Sequence, residues 1–202
     1  MNFNHERYEN CLRCAGVSED VAAQIVDVPY QASEDERQDN ANYCAAVMAK
    51  CDELLDFDTT AEMMFHRACC KDGGRLKNSQ NVAKWHGNQP LEKKLKALGK
   101  KKYMGHPRLT EDGDIFTGHC AGSGPSATKR CSCWNFDGAL PEQGKMPLSY
   151  CLCCAGHFRF HYQIALGVKL WVKEVVSSVF GEQPDYCSFL FEIVEQDSGK
   201  VD

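Results

Sequence analysis

The chain has 202 residues, a formal net charge of −5, and 43% hydrophobic and 25% charged side chains, which is the make-up of an ordinary globular protein long enough to bury a core without staples. No apolar run approaches the ~18 residues that cross a bilayer, and the first ten residues lack the basic and apolar regions of a secretory signal, so a cytoplasmic protein free of membrane is expected. The balance is acidic, with −9 over residues 1–70, +8 over 71–130 and −4 over 131–202; without basic–aromatic interleaving this excludes a nucleic-acid surface and suits intramolecular or dimer complementarity.

Cysteine is the unusual residue. Thirteen thiols, an odd number in a chain with no secretory signal, argue against a disulfide framework and for metal ligands, reactive thiols or small core residues. In chain order, Cys11 and Cys14 form a CxxC within a helical segment, with no second pair at ligand spacing. Ser18 caps a helix that stops at Pro29. Ser33-Glu-Asp-Glu36 reads as a capping box opening a long helix, with Cys44, Val47, Met48, Cys51, Leu54 and Leu55 on its apolar stripe. Thr59-Thr-Ala-Glu62 reads as a second box, and its helix is expected to end at Gly73-Gly74. That helix would place His66 one turn from Cys69 and Cys70, a spacing that suits either a metal ligand set or an ordinary helix end. Ser79 is expected to start the next helix. Pro90 opens Leu91–Leu98, whose outer face is rich in lysine.

At Pro107 the pattern turns from helix to strand. Glu111-Asp-Gly-Asp114 is a hairpin turn signal, and Ile115 and Phe116 begin a strand running to His119 and Cys120. The glycine-rich stretch after Cys120 lacks the Gly-Lys-Ser/Thr ending of a phosphate loop. Arg130–Phe136 reads as a short strand with Cys131 and Cys133 on one face. A helix follows from about Ser149 to a stop at Gly167, and a strand pair, 168–176 and 186–194, closes the chain. The expected fold is α+β: a helical region, 1–104, packed with an α/β region, 105–195, whose sheet is antiparallel.

The chemistry concentrates between His119 and His161. Cys120, Cys131, Cys133, Cys151 and Cys153 have the thiolate spacing of a zinc site. Alternatively, Cys151, Cys153 or Cys154 at a helix N-terminus would gain nucleophilicity from the dipole and the free amides. Cys153, His157 and His161 recur at four-residue intervals, as ligands or as a nucleophile–base pair. The plain alternative for each thiol is core packing beside Phe158, Tyr162, Ile164 and Leu166.

The stretch Cys153–Ile193, with its small-residue helix start, Gly167, Val175-Val176 and the run Gly181…Cys187-x-Phe189-x-Phe191-x-Ile193, resembles the C-terminal end of the 4-vinyl-reductase-like domains. It is also similar to their cysteine-rich bacterial relatives, the L-2-amino-thiazoline-4-carboxylic acid hydrolase-like group. The resemblance implies a helix packed on an antiparallel sheet that senses or processes small hydrophobic or heterocyclic molecules. It puts Cys153 or Cys154, and Cys187, at the positions of recurrent family cysteines. Here the extension is N-terminal and helical, whereas the vinyl-reductase-like domains are usually shorter, and no established catalytic set matches.

The leading expectation is therefore a small-molecule-binding, sensor-like protein with a cysteine-rich, zinc-binding site, compatible with a homodimer. The alternatives are a thiol-dependent hydrolase of a small heterocyclic or amide substrate, with Cys153 or Cys154 as nucleophile and His157 or His119 as base, and an interaction protein stapled by zinc.

Overall fold

Two aspartates, more than the Ser and Thr boxes, set where the two central helices begin. A computed structural model describes residues 3–30, 32–119, 131, 133, 139–142, 145–180 and 187–194. Helices α1 (Phe3–Cys14) and α2 (Glu19–Val26) precede α3 (Glu36–Leu54), whose N-cap is Asp35, accepting from the Arg37 and Gln38 amides. Ser33 instead donates through its amide and hydroxyl to Asp39. Helix α4 (Phe57–Arg67) starts at Asp56, which accepts from the Thr59 amide. A carboxylate at the N-cap satisfies a free amide and meets the positive helix end, so the start lies ahead of the Thr59 box.

The expected stop at Gly73-Gly74 is corrected in the same way. Helix α4 ends at Arg67, and Gly73 opens α5 (Gly73–His86), with Asp72 at its N-cap and Ser79 inside the helix, donating to the Arg75 carbonyl. Gly73 adopts φ +64, which explains a glycine at a start as readily as at a stop. His66 is thus the penultimate residue of α4, with its Nε2 3.4 Å from a Glu62 carboxylate oxygen, while Cys69 and Cys70 lie outside the helix. Helix α6 (Leu91–Leu98) follows Pro90 and ends at Gly99.

The mixed fold is α+β, as the pattern predicts. Strands β1 (Arg108–Leu109), β2 (Ile115–His119), β3 (Lys169–Ser177) and β4 (Cys187–Val194) form an antiparallel sheet in the order β1-β2-β4-β3. The expected strand around Cys131 and Cys133 is not formed at either of these two residues, and its other members lie outside the described residues. Among the described residues, no helix is long and apolar enough to cross a membrane.

Helix α7 (Leu152–Leu166) joins the halves, with α4 and α5 against one side and β3 against another. Phe158 and Tyr162, one turn apart, meet Phe189 and Phe191 of β4 with ring centroids 5.9 and 6.3 Å apart. The Tyr162 hydroxyl donates to the Met104 carbonyl at 2.6 Å and accepts from Thr117 at 2.7 Å, so a buried polar atom is satisfied within the core. Gly167 closes α7 in the left-handed region, as its position after the last apolar residue predicts.

On the other side α7 touches α4 backbone to backbone. A Cβ at Gly156 would sit 2.9 Å from the Phe65 Cα and 3.2 Å from the Met64 carbonyl oxygen. Gly156→Val is expected to push the two helices apart and cost about 2–3 kcal/mol, read as a lower denaturation midpoint in urea. A midpoint equal to that of the parent chain would mean the crossing is loose.

Candidate thiol site

The start of α7 lies among three other segments, and each thiol there finds a different partner. A short 3-10 turn, Leu148–Cys151, runs straight into the helix. This stacks Cys151, Cys153 and Cys154 on successive sides of one turn, each directed at a different neighbour.

Cys151 points to the end of the β3–β4 hairpin. Its Sγ lies 2.9 Å from the Ser178 Oγ and it is hydrogen bonded to Cys187, the first residue of β4. Cys187 also accepts from the Val179 amide and from Ser178. These donors, the Cys151 thiol first among them, hold the Cys187 thiol down at about 7, against the burial that would raise it. Cys151 moves the opposite way, raised by its bond to Cys187 and by burial. The pair therefore keeps its proton on Cys151 and its charge on Cys187. In the ladder the cross-strand partner of Cys187 is His119.

Cys153 faces the α4–α5 connection, where it is hydrogen bonded to Cys69, whose Sγ is 3.5 Å from that of Cys70. His161 closes this group: its Nε2 lies 2.6 Å from the Cys70 carbonyl oxygen. A carbonyl can only accept, so Nε2 carries the proton. Burial lowers the His161 pKa, which keeps the ring neutral and suited to that bond. His157 is buried and packs on Phe158 with centroids 4.4 Å apart. The stripe Cys153, His157, His161 therefore ties α7 to the 68–72 connection and to the core, and its members do not converge on one point.

Cys154 occupies the middle. Burial raises it first, followed by the neighbouring Cys131, Cys187, Cys133 and Cys69. Cys131 is itself pushed up to about 12 by burial and by Cys133. Cys133 lies 3.1 Å from the Tyr150 hydroxyl and reaches a polar cluster in the core. There the Arg67 guanidinium lies 4.3 Å over the Tyr8 ring and 5.8 Å from Tyr150, donates to Asn4 at 2.9 Å, and approaches the Cys44 Sγ at 3.7 Å.

The zinc set expected from spacing is thus divided in the structure. Cys151 is bound to Ser178 and Cys187, Cys153 to Cys69, and Cys133 to Tyr150, while Cys120 lies outside the described residues. Among the described residues, no three His, Cys, Asp or Glu side chains are grouped so that they could hold a metal ion. The dipole argument for Cys153 and Cys154 is corrected as well, because both thiols are raised, not lowered. The bond to Cys69 and then burial raise Cys153, and loss of hydration raises Cys154, and both outweigh a helix end.

Cys44 and Cys51 pack in the core as the helical stripe predicts. Cys11 is buried on α1 while Cys14 is exposed, so the CxxC pair is split between inside and outside. Residue spacing did not reveal Ser178 or the Val179 amide, the two donors that the hairpin end brings to Cys187. No known protein family, no curated protein and no solved structure matches this chain.

Proposed function

We propose that the chain is a small-molecule-binding protein that engages its ligand through the Cys187 thiolate. The observation that supports this best is the nest around Cys187, with the Cys151 thiol, the Ser178 hydroxyl and the Val179 amide all turned toward one sulfur whose pKa they lower to about 7. A thiolate is the nucleophilic form and the soft-ligand form of cysteine. The ligand class that suits it is a small electrophilic or heterocyclic molecule, held either as a sensor holds an effector or long enough to be processed. A reducing compartment such as the cytosol would keep the free thiols of the described residues in this state.

The same thiolate could start a thiol-dependent hydrolysis, and His119 is the register partner of Cys187 in the β2–β4 ladder. A soft metal is the second reading, resting on the density of thiols between Cys120 and Cys154 in the sequence.

The test compares the parent chain with Cys187→Ser, Cys153→Ser and Cys131→Ser, purified under reducing conditions without added metal. A small maleimide, which is an electrophilic heterocycle, should add fastest at Cys187 in the parent and in Cys153→Ser, and this fast phase should vanish in Cys187→Ser, leaving the slower addition at the exposed Cys14. About one zinc per chain, lost in both Cys131→Ser and Cys187→Ser, would replace this reading by the metal one. Addition at Cys153 or Cys154 with Cys187 untouched would end it.

A further inference from the structure

Away from the thiols, a cavity of about 570 Å³ opens between the end of α2, the middle of α3 and the segment carrying Glu142 and Lys145. That size is ordinary for a small-ligand site. Its floor is the small-residue face of α3, Ala45, Ala46 and Ala49, and small side chains there leave the space open. One side is an aromatic corner: Tyr30 and Tyr43 stand 5.8 Å apart with ring planes at 87°. Tyr43 is fixed, with its hydroxyl donating to the Val26 carbonyl at 3.2 Å, whereas Tyr30 is 40% exposed at the rim.

The charges around this corner are also held in place. Asp39 is buried in the wall, its carboxylate oxygens accepting from the Ser33 amide at 2.7 Å and hydroxyl at 2.8 Å. Asp39 and Glu36 both act electrostatically on Tyr30. Opposite, residues 140–142 are fastened across α3 by contacts one turn apart. Gln38 donates to the Leu140 carbonyl at 2.5 Å, and Asn42 both accepts from the Glu142 amide at 2.9 Å and donates to its carboxylate at 3.4 Å. Lys145 supplies one positive charge on the same wall.

A right-angled pair of tyrosines beside a fixed carboxylate is the arrangement that recognises an alkylated ammonium, because ring faces and carboxylate attract the cation without needing N–H donors. A lysine on the same wall suits an anionic group on the same molecule. We propose that this cavity binds a small zwitterion carrying a methylated ammonium and a carboxylate, at a site separate from Cys187. The Tyr30–Tyr43 corner and Asp39 would take the cation, and Lys145 the anion.

The experiment is a titration of the full-length chain with glycine betaine, followed by NMR of the tyrosine ring signals and by calorimetry, with tetramethylammonium and acetate as half-ligands. Glycine betaine is expected to bind more tightly than either half-ligand. Tyr30→Ala, at an exposed rim position, and Ala46→Phe, which fills the floor, should each weaken it roughly tenfold or more, with circular dichroism confirming that both variants remain folded. Cys187→Ser should leave this binding unchanged, so failure of the thiol reading and failure of this one are told apart. No betaine binding up to about 10 mM, binding unaffected by Tyr30→Ala, or equal binding of acetate alone would overturn the proposal.

Discussion

Arg67→Ala should destabilise the chain by about 3–5 kcal/mol, more than any other single truncation in the helical half. Arg67 is 1% exposed, a large side chain whose stem fills the core and whose guanidinium lies against Tyr8 and Tyr150. Removing it opens a cavity, strips Asn4 of a donor at 2.9 Å, and leaves polar oxygens and sulfurs facing one another without a cation. Each of those costs separately: the void through lost contacts, the orphaned acceptor through desolvation. Arg67→Lys keeps the charge but not the flat surface that stacks on the rings, so it should recover only part of the loss. Urea unfolding of the three proteins checks the order parent, lysine, alanine. An alanine variant within 1 kcal/mol of the parent, on the order of a surface change, would mean that the tyrosines and cysteines hold this cluster together without the arginine.

The second large effect is on reactivity. With its thiol held at about 7, Cys187 should be about half ionised at neutral pH, against roughly one part in a hundred for a thiol near 9. Its alkylation rate by iodoacetamide, followed by peptide mass mapping, should rise about tenfold per unit below pH 7 and level off above it. The sign follows from the donors: they stabilise the charged form, so they pull the midpoint down. Cys151→Ala removes the largest of them, and the midpoint should move up by about a unit or more, with Ser178→Ala giving a smaller shift in the same direction. Raising the midpoint lowers the rate at pH 7, although less than the thiolate fraction alone suggests, because a more basic sulfur is intrinsically more nucleophilic. A parent midpoint above about 8.5, the range of an ordinary thiol, would contradict the nest.

What could be read from the residues and what could not follows from the range of the forces involved. The α3 stripe of Cys44, Val47, Met48 and Cys51, the glycine stop at Gly167 and the closing strand pair are set by local periodicity and are found, whereas Leu54, expected on the same stripe, is exposed at the helix end. Helix starts were less legible, because Asp56 competes with the nearby Thr residues for the same capping role, and α5 begins after Asp72 without a side-chain cap bond. The short strand expected around Cys131 and Cys133 had alternation but no visible pairing partner, and neither residue joins the sheet. At the site, the region was legible from thiol density, but the reactive sulfur was not. Cys151 and Ser178 are 27 residues apart in the chain, and the donors that lower Cys187 come from a hairpin end that only the folded sheet brings to α7. The bond from Cys69 that raises Cys153 and the burial that raises Cys154 are likewise properties of the packed structure.

The strand order has a consequence for how the chain matures. Strand β2 pairs only with β1 and β4 in the sheet, and β4 is the last described strand. The inner ladder therefore cannot close on a ribosome until residues beyond 190 have emerged, and such distant pairings are slow to form. Until then Phe158 and Tyr162 lack their aromatic cover, and Cys151 lacks its partner sulfur. A nascent chain would thus pass through a stage rich in exposed thiols and apolar rings. Synthesis under oxidising conditions should trap mixed disulfides at Cys151, Cys153 and Cys187, which the folded protein, with these sulfurs buried, resists.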